Sequence, residues 1–253
     1  MLPTPSTSHV NFNRVYEPAE DSFLLLDTLS ASSEIKFLSE RFKTSPPPLI
    51  MEVGSGSGVV LAFVAAHANH IFGRSDSMFL SSDLNVFACH STSNTVLKAI
   101  DSASSLGEKR SLFLNSLNAD LLSCLKANSV DVLIFNPPYV PTSEVPERKA
   151  SLFPDPVNEA PVSFDDESHF LSLSYAGGVD GMEVTNRLLE DLPRVLHRAH
   201  GVAYILLCAQ NRPREVQSHV KAWGPSWEVE IVSSSGKKAG WEKLVVLRVS
   251  RAG

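Results

Sequence analysis

The stretch Leu49-Ile50-Met51-Glu52-Val53-Gly54-Ser55-Gly56-Ser57-Gly58-Val59-Val60-Leu61-Ala62-Phe63-Val64 runs from a short apolar segment through alternating glycines into a second apolar segment. A strand that feeds a glycine-rich bend and then a helix is the opening unit of a doubly wound α/β sheet. The glycines let the backbone turn tightly and approach a ligand with no Cβ in the way. Working outward, apolar runs at 78–82, 111–115, 130–135, 202–209, 228–232 and 244–249 read as further strands, and helical patterns fill 59–69, 86–102, 185–200 and 213–223. The first five strands are short and nearly continuous in hydrophobicity, as strands covered on both faces by helices must be. The alternation predicts an α/β, Rossmann-like, mostly parallel seven-stranded sheet. The last two strands, with no helical pattern between them, are expected to form an antiparallel pair at one edge.

A single domain over residues 1–253 accommodates these elements. Residues 1–12 (MLPTPSTSHVNF) are rich in Pro, Ser and Thr and are expected to be disordered. Residues 13–47 form an N-terminal helical segment, in which Phe23, Leu24, Leu26, Leu29, Phe37 and Leu38 mark one or two amphipathic helices. Pro46-Pro47-Pro48 ends that segment, and 48–253 holds the sheet. Residues 143–174 fit no regular element. They carry seven acids against Arg148 and Lys149, so most of the chain's net charge of −6 is local to them. Charge runs are commonly solvated surface, but a long loop after a strand of an α/β sheet also suits a substrate-facing lid.

Composition narrows the function classes. With 22 basic and 28 acidic residues in 253, the chain offers no broad basic face, which argues against nucleic acid as the main partner. Cys89, Cys124 and Cys208 form no C-x-x-C pair, so no zinc cluster or disulfide framework is expected. His67 with His70, and His197 with His200, stand at i,i+3 but lack a carboxylate at matching spacing, so no metal is expected in this chain. Trp223, Trp227 and Trp241 read as packing residues near the final strands, and Cys208 as core. No apolar run reaches membrane-spanning length, and the first residues do not read as a secretory signal. The expected location is the cytoplasm, with the nucleus also open.

Two strand ends carry chemistry. Glu52 precedes the first glycine of the bend, whose G-x-G-x-G spacing lacks the third-glycine placement of a dinucleotide fingerprint. Asp83 closes the next strand, where a carboxylate suits the two hydroxyls of a ribose. The arrangement favours S-adenosylmethionine over a dinucleotide. The fourth strand ends in Asn136-Pro137-Pro138-Tyr139. The prolines remove two backbone donors and leave carbonyls that only accept, Asn136 adds a side-chain acceptor, and Tyr139 adds a flat face. Together they suit a planar group bearing NH₂: an amide, or the exocyclic amine of adenine or cytosine.

These residues, with Val15-Tyr16-Glu17-Pro18-Ala19-Glu20-Asp21-Ser22-Phe23-Leu24, Asp83-Leu84-Asn85, Asp120-Leu121 and Ala176-Gly177-Gly178, resemble the HemK-like release-factor glutamine methyltransferases, and within them the eukaryotic and archaeal branch. The resemblance spans roughly residues 14–250. It implies a class I S-adenosylmethionine-dependent methyltransferase fold, with S-adenosylhomocysteine as product. Ser22 would line the methionine end of the cofactor, Glu52, Gly54 and Gly56 its floor, Asp83 the ribose, and Asp120 with Leu121 the adenine. Asn136 would meet both cofactor and substrate. The implied substrate is the glutamine of the Gly-Gly-Gln motif in the class I termination factor, and the implied partner a small zinc-binding activator subunit.

Chemically, Asn136 Oδ1 and the Pro137 carbonyl would accept the two amide N–H bonds and aim the nitrogen, while Pro138 and Tyr139 pack on the amide. An N6-adenine methyltransferase acting on DNA or RNA would share this pocket but wants a basic groove. The strand at 111–115 should lie at the sheet edge yet reads Leu112-Phe113-Leu114, so the activator is expected to cover that side.

Overall fold

The computed structural model describes residues 2–104, 111–147, 163–236 and 243–251. Among them, strands β1 (Leu49–Val53), β2 (Met78–Asp83), β3 (Leu112–Asn118), β4 (Val132–Phe135), β5 (Val202–Cys208), β6 (Trp227–Ser234) and β7 (Leu244–Arg251) form one sheet in the order β3-β2-β1-β4-β5-β7-β6. The first five are mutually parallel. β7 is antiparallel to both β5 and β6, so the expected antiparallel pair closes one edge, with β7 inside.

Alternation along each strand explains why so few polar residues interrupt them. Ile50, Val132, Ile134, Tyr204 and Val246 point into a layer containing α1 (Glu20–Leu29), α2 (Ser32–Arg41), α3 (Val59–Ala66), α4 (Ala68–Phe72) and α5 (Val86–Ser104). Met51, Leu133, Phe135, Ile205 and Leu247 point oppositely, into a layer with α7 (Glu183–Val195) and α8 (Pro213–Lys221). Both faces are dry, which is the condition for parallel strands. Cys208 is core, and Trp223 packs edge-on against the buried Trp227 at 5.0 Å. Trp241 lies outside the described residues.

Four expectations are corrected. The helix read at 59–69 breaks at His67, whose carbonyl accepts from the His70 and Ile71 amides as a second helix restarts. The helix read at 185–200 ends at Val195: Leu196 is extended and the His197 amide donates instead to the Val130 carbonyl. Residues 2–12 are not frayed. His9 Nε2 lies 3.2 Å from Thr95 Oγ1, His67 Nε2 lies 2.9 Å from the Pro3 carbonyl, and Val10 is buried with Val15 and Ala88. The apolar minority in a polar segment sufficed to seat it. Finally, 143–174 is not wholly irregular: Phe164–Tyr175 forms α6, with the Ser163 hydroxyl accepting from the Asp166 amide and three acids in its first turn. Residues 148–162, including Asp155 and Glu159, lie outside the described residues.

The N-terminal helices are pinned to the sheet by a buried ion pair. Glu34, 2 % exposed, accepts from Arg248 Nη1 at 2.8 Å and from the Tyr204 hydroxyl at 2.8 Å. Replacing it with alanine strands Arg248 and Tyr204 without their acceptor, so Glu34→Ala is expected to destabilise the fold by about 3 kcal/mol in urea unfolding. Glu230, which bonds Arg248 from the exposed side at 2.7 Å, keeps the loss from being larger.

Candidate active site

Register brings the two motifs together. β1 and β4 pair in parallel with Val53 opposite Phe135, so Gly54 and Asn136 leave the sheet side by side. Gly54 has φ +63°, and a Cβ there would stand 3.9 Å from the Asn136 carbonyl. On the other flank β1 pairs with β2, and the Gly54 amide donates to the Ser82 carbonyl at 2.8 Å, one residue before Asp83. Three strand ends thus converge where the strand order reverses, the usual place for a ligand in such a sheet.

The acids there are held by backbone amides. Asp83 Oδ2 accepts from Gly56 N at 3.0 Å and Oδ1 from Asn85 N at 2.8 Å. Burial at the strand end pushes the Asp83 carboxyl up to about 6 despite these bonds. Glu52 is 2 % exposed and accepts from the Leu61 amide at 3.0 Å. Burial, with the Asp83 charge adding to it, lifts Glu52 well above the usual carboxylate range.

At the end of β4 the Asn136 amide is oriented: Nδ2 donates to Asp21 Oδ2 at 3.1 Å, while Oδ1 is buried with no partner. Pro138 lines the cleft, and Pro137 is buried behind it. The Tyr139 hydroxyl stands 3.5 Å from Asp21 Oδ2, and its carbonyl accepts from Asn211 Nδ2 at 3.1 Å. Tyr139 is absent from the residues lining the cleft and packs on the core beneath. The turn is clasped from outside by the glycine loop after α6. The Gly177 amide donates to the Val140 carbonyl at 2.9 Å, and a Cβ on Gly181 (φ +67°) would collide with the Tyr139 carbonyl.

Two cavities share Gly54, Asp83, Pro138 and Leu173 and make one cleft. The smaller, about 80 Å³, includes Tyr16, Ser22, Glu52, Gly56 and Asn136. The larger, about 290 Å³, includes Asp120, Leu121, Phe135 and Arg187. Asp120 Oδ2 pairs with Arg187 Nη2 at 2.5 Å, while Oδ1 is buried with no partner. Two residues that line the cleft, Asn136 and Asp120, thus each carry a buried acceptor with no partner, and Asp83 borders both parts. An adenosine needs such a set: acceptors for its amino group and its ribose hydroxyls. Ser22, Glu52, Gly54, Gly56, Asp83, Asp120, Leu121, Asn136 and Pro138 all border this space; Pro137 and Tyr139 stand behind it.

Sequence reading missed three contributors. Phe170, Leu173 and Ser174 of α6 wall the cleft, and Phe170 meets Phe87 edge-on at 5.2 Å while Glu167 pairs with Arg14 at 2.9 Å. Ser163-x-x-Asp166 ahead of Phe170-Leu171 is a helix-start signal that could have revealed it. Asp21, 3 % exposed, stood within the quoted Val15–Leu24 stretch with no role of its own. Asn211, 2 % exposed, reaches Tyr139, Asp180 and Gly181 carbonyls from beyond β5, a relation that no local pattern encodes. The carboxylate that spacing did not supply for His197 and His200 comes from Asp131: His200 Nε2 lies 2.7 Å from Asp131 Oδ1, and His197 stacks on His200 at 3.7 Å. That trio sits where β4 begins, at the far end from the cleft.

No protein-family model matches the chain. It is 32% identical to the eRF1 methyltransferase catalytic subunit mtq2 of Schizosaccharomyces pombe, over 100% of this chain and 97% of that one. It is 31% identical to methyltransferase HEMK2 of Mus musculus (99% and 98%) and 29% identical to HEMK2 of Homo sapiens (98% and 97%). With the glycine bend, Asp83 and the Asn-Pro-Pro-Tyr turn gathered around one cleft, and with full-length similarity on this scale, the chain belongs to the HemK-like methyltransferase family of mtq2 and HEMK2.

Proposed function

We propose that the protein transfers a methyl group from S-adenosylmethionine to the side-chain amide nitrogen of the glutamine in the Gly-Gly-Gln motif of the eukaryotic class I translation termination factor. The observation that carries this reading is the buried, unpartnered Oδ1 of Asn136, a residue that lines the cleft together with Gly54 and Asp83, as an acceptor for a planar N–H donor. Bound S-adenosylmethionine supplies a sulfonium methyl, the electrophile of an in-line displacement. Glu52, Gly54 and Gly56 would form the floor for it, Ser22 would border its methionine end, Asp83 would accept from the ribose, and Asp120 with Leu121 would flank the adenine.

The chain's own task is to present a poor nucleophile. An amide lone pair is delocalised into its carbonyl, so orientation and charge stabilisation must do what basicity cannot. Asn136 Oδ1 would accept one N–H of the glutamine and the main-chain carbonyl of Pro137, whose ring stands behind the cleft wall, the other, holding the nitrogen towards the methyl donor. The same oxygens face the positive charge that grows on nitrogen as the bond forms. Tyr139 and Pro138 hold the turn that carries these acceptors. The methylated nitrogen is acidic at that moment and loses its proton to water, so no strong base is required. Adenine N6 methylation would use similar acceptors, but a net charge of −6 argues against an affinity that comes mainly from nucleic-acid phosphates.

A relative named as a catalytic subunit supports the expectation of a partner. We assign a small zinc-binding activator to the β3 edge, where Leu112 is 56% and Leu114 46% exposed on a strand that, among the described residues, pairs on one side only. The acidic 143–174 segment would steer a basic substrate domain, and a termination-factor substrate supports a cytoplasmic location, with the nucleus also open.

Asn136→Ala is expected to abolish transfer of labelled methyl to the termination factor while S-adenosylmethionine binding persists; wild-type turnover in that variant would end the mechanism. Asp83 gives a pH signature. Its raised carboxyl makes the folded chain hold this proton more tightly than the unfolded one, so this group's contribution to ligand-free stability falls as pH rises towards and through about 6. Ribose binding wants the ionised form and strengthens over the same interval. Calorimetry should show affinity weakening by up to about tenfold per pH unit below 6, and Asp83→Asn binding weakly without that slope. Leu112→Asp with Leu114→Asp should prevent co-purification of the activator while the far-ultraviolet spectrum stays unchanged.

A further inference from the structure

We propose that Asp21 is a positioning residue that fixes which end of the Asn136 side chain faces the substrate. An asparagine amide is nearly symmetric in shape, and a half-turn exchanges its acceptor for a donor. If Nδ2 faced the cleft, it would meet the amino end of a glutamine donor to donor, and the site would repel the group it must hold. Nothing within Asn136 itself decides between the two. The decision comes from the first turn of α1, where Asp21 Oδ2 lies 3.1 Å from Asn136 Nδ2. A carboxylate has only lone pairs to offer, so its neighbour must turn a donor towards it. Oδ1 is thereby left buried and unpartnered on a residue that lines the cleft.

Asp21 is in turn held in place. Oδ1 accepts from the Ser22 amide at 2.6 Å and the Ser22 hydroxyl at 3.3 Å, and Oδ2 accepts from the Tyr16 hydroxyl at 3.1 Å, with the Tyr139 hydroxyl 3.5 Å away. A carboxylate accepts roughly four hydrogen bonds. Asp21 is therefore saturated by the protein and has no oxygen left for substrate, which excludes it as a general base. Its second effect is electronic. A negative charge on the Nδ2 side polarises the amide and strengthens Oδ1 as an acceptor, along the chain carboxylate, Asn136, substrate N–H. No proton moves in this device.

The inference rests on the methyl-transfer reading, and its test separates the two. In the full chain, Asp21→Asn keeps the volume but no longer dictates orientation or supplies charge. The expected outcome is a fall in kcat of about 10²-fold, with KM for the glutamine substrate and the affinity for S-adenosylmethionine changed less than about threefold. Amide-selective nitrogen NMR gives a readout that needs no turnover: the Asn136 side-chain NH₂ should be protected from solvent exchange in the wild type and lose that protection in Asp21→Asn. Should the variant turn over at the wild-type rate, lose cofactor affinity in proportion to its activity, or leave the Asn136 protection intact, the assignment is overturned. A wild-type chain that methylates no glutamine would instead count against the proposed function, with the NMR comparison still deciding the role of Asp21.

Discussion

Parallel pairing of β1 with β4 is the constraint on which the site depends. Because Val53 stands opposite Phe135, the glycine bend and the Asn-Pro-Pro-Tyr turn emerge at the same height, and a Cβ added at Gly54 would stand in van der Waals contact with the Asn136 carbonyl. A shift of one residue would send every side chain of β4 to the opposite face, exchanging Ile134 for Leu133 and Phe135 in the two dry layers. The hydrophobic cores on both faces therefore guard the register, and the register guards the chemistry.

Around that junction the protein accumulates carboxylates that are bonded to the backbone. Glu52, Asp83 and Asp21 each accept from backbone amides of a turn or helix start, at Leu61, at Gly56 and Asn85, and at Ser22. These bonds tie the acids to the glycine bend, the end of β2 and the start of α1, so the polar lining is built into the backbone. The same elements are closed off by apolar contacts: Phe170 of α6 against Phe87, and Arg14 laid over Phe87 while paired with Glu167. The wall of the cleft and the N-terminal segment thereby form one unit.

Much of this was legible from local pattern. The strands were recognisable because continuous apolar runs of that length have few other uses, and the glycine bend with Glu52 and Asp83 pointed to the cofactor end of the cleft. Residues 2–12 were misread because a polar composition hides the few apolar side chains, such as Val10, that seat them. α6 was misread because seven acids in one segment look like solvated loop, although three of them sit at a helix N-terminus, where they are favoured.

The sequence by itself determined the sheet, its two dry faces, the glycine bend and the acceptor-rich turn, since each follows from periodicity or from backbone chemistry within a few neighbouring residues. Only the tertiary structure decided which way the Asn136 amide points, that Pro137 and Tyr139 stand behind the cleft while Pro138 borders it, and that Asn211 grips the turn from beyond β5. These are relations between residues separated by most of a domain. They depend on which donor meets which acceptor in three dimensions, and no local spacing carries that information.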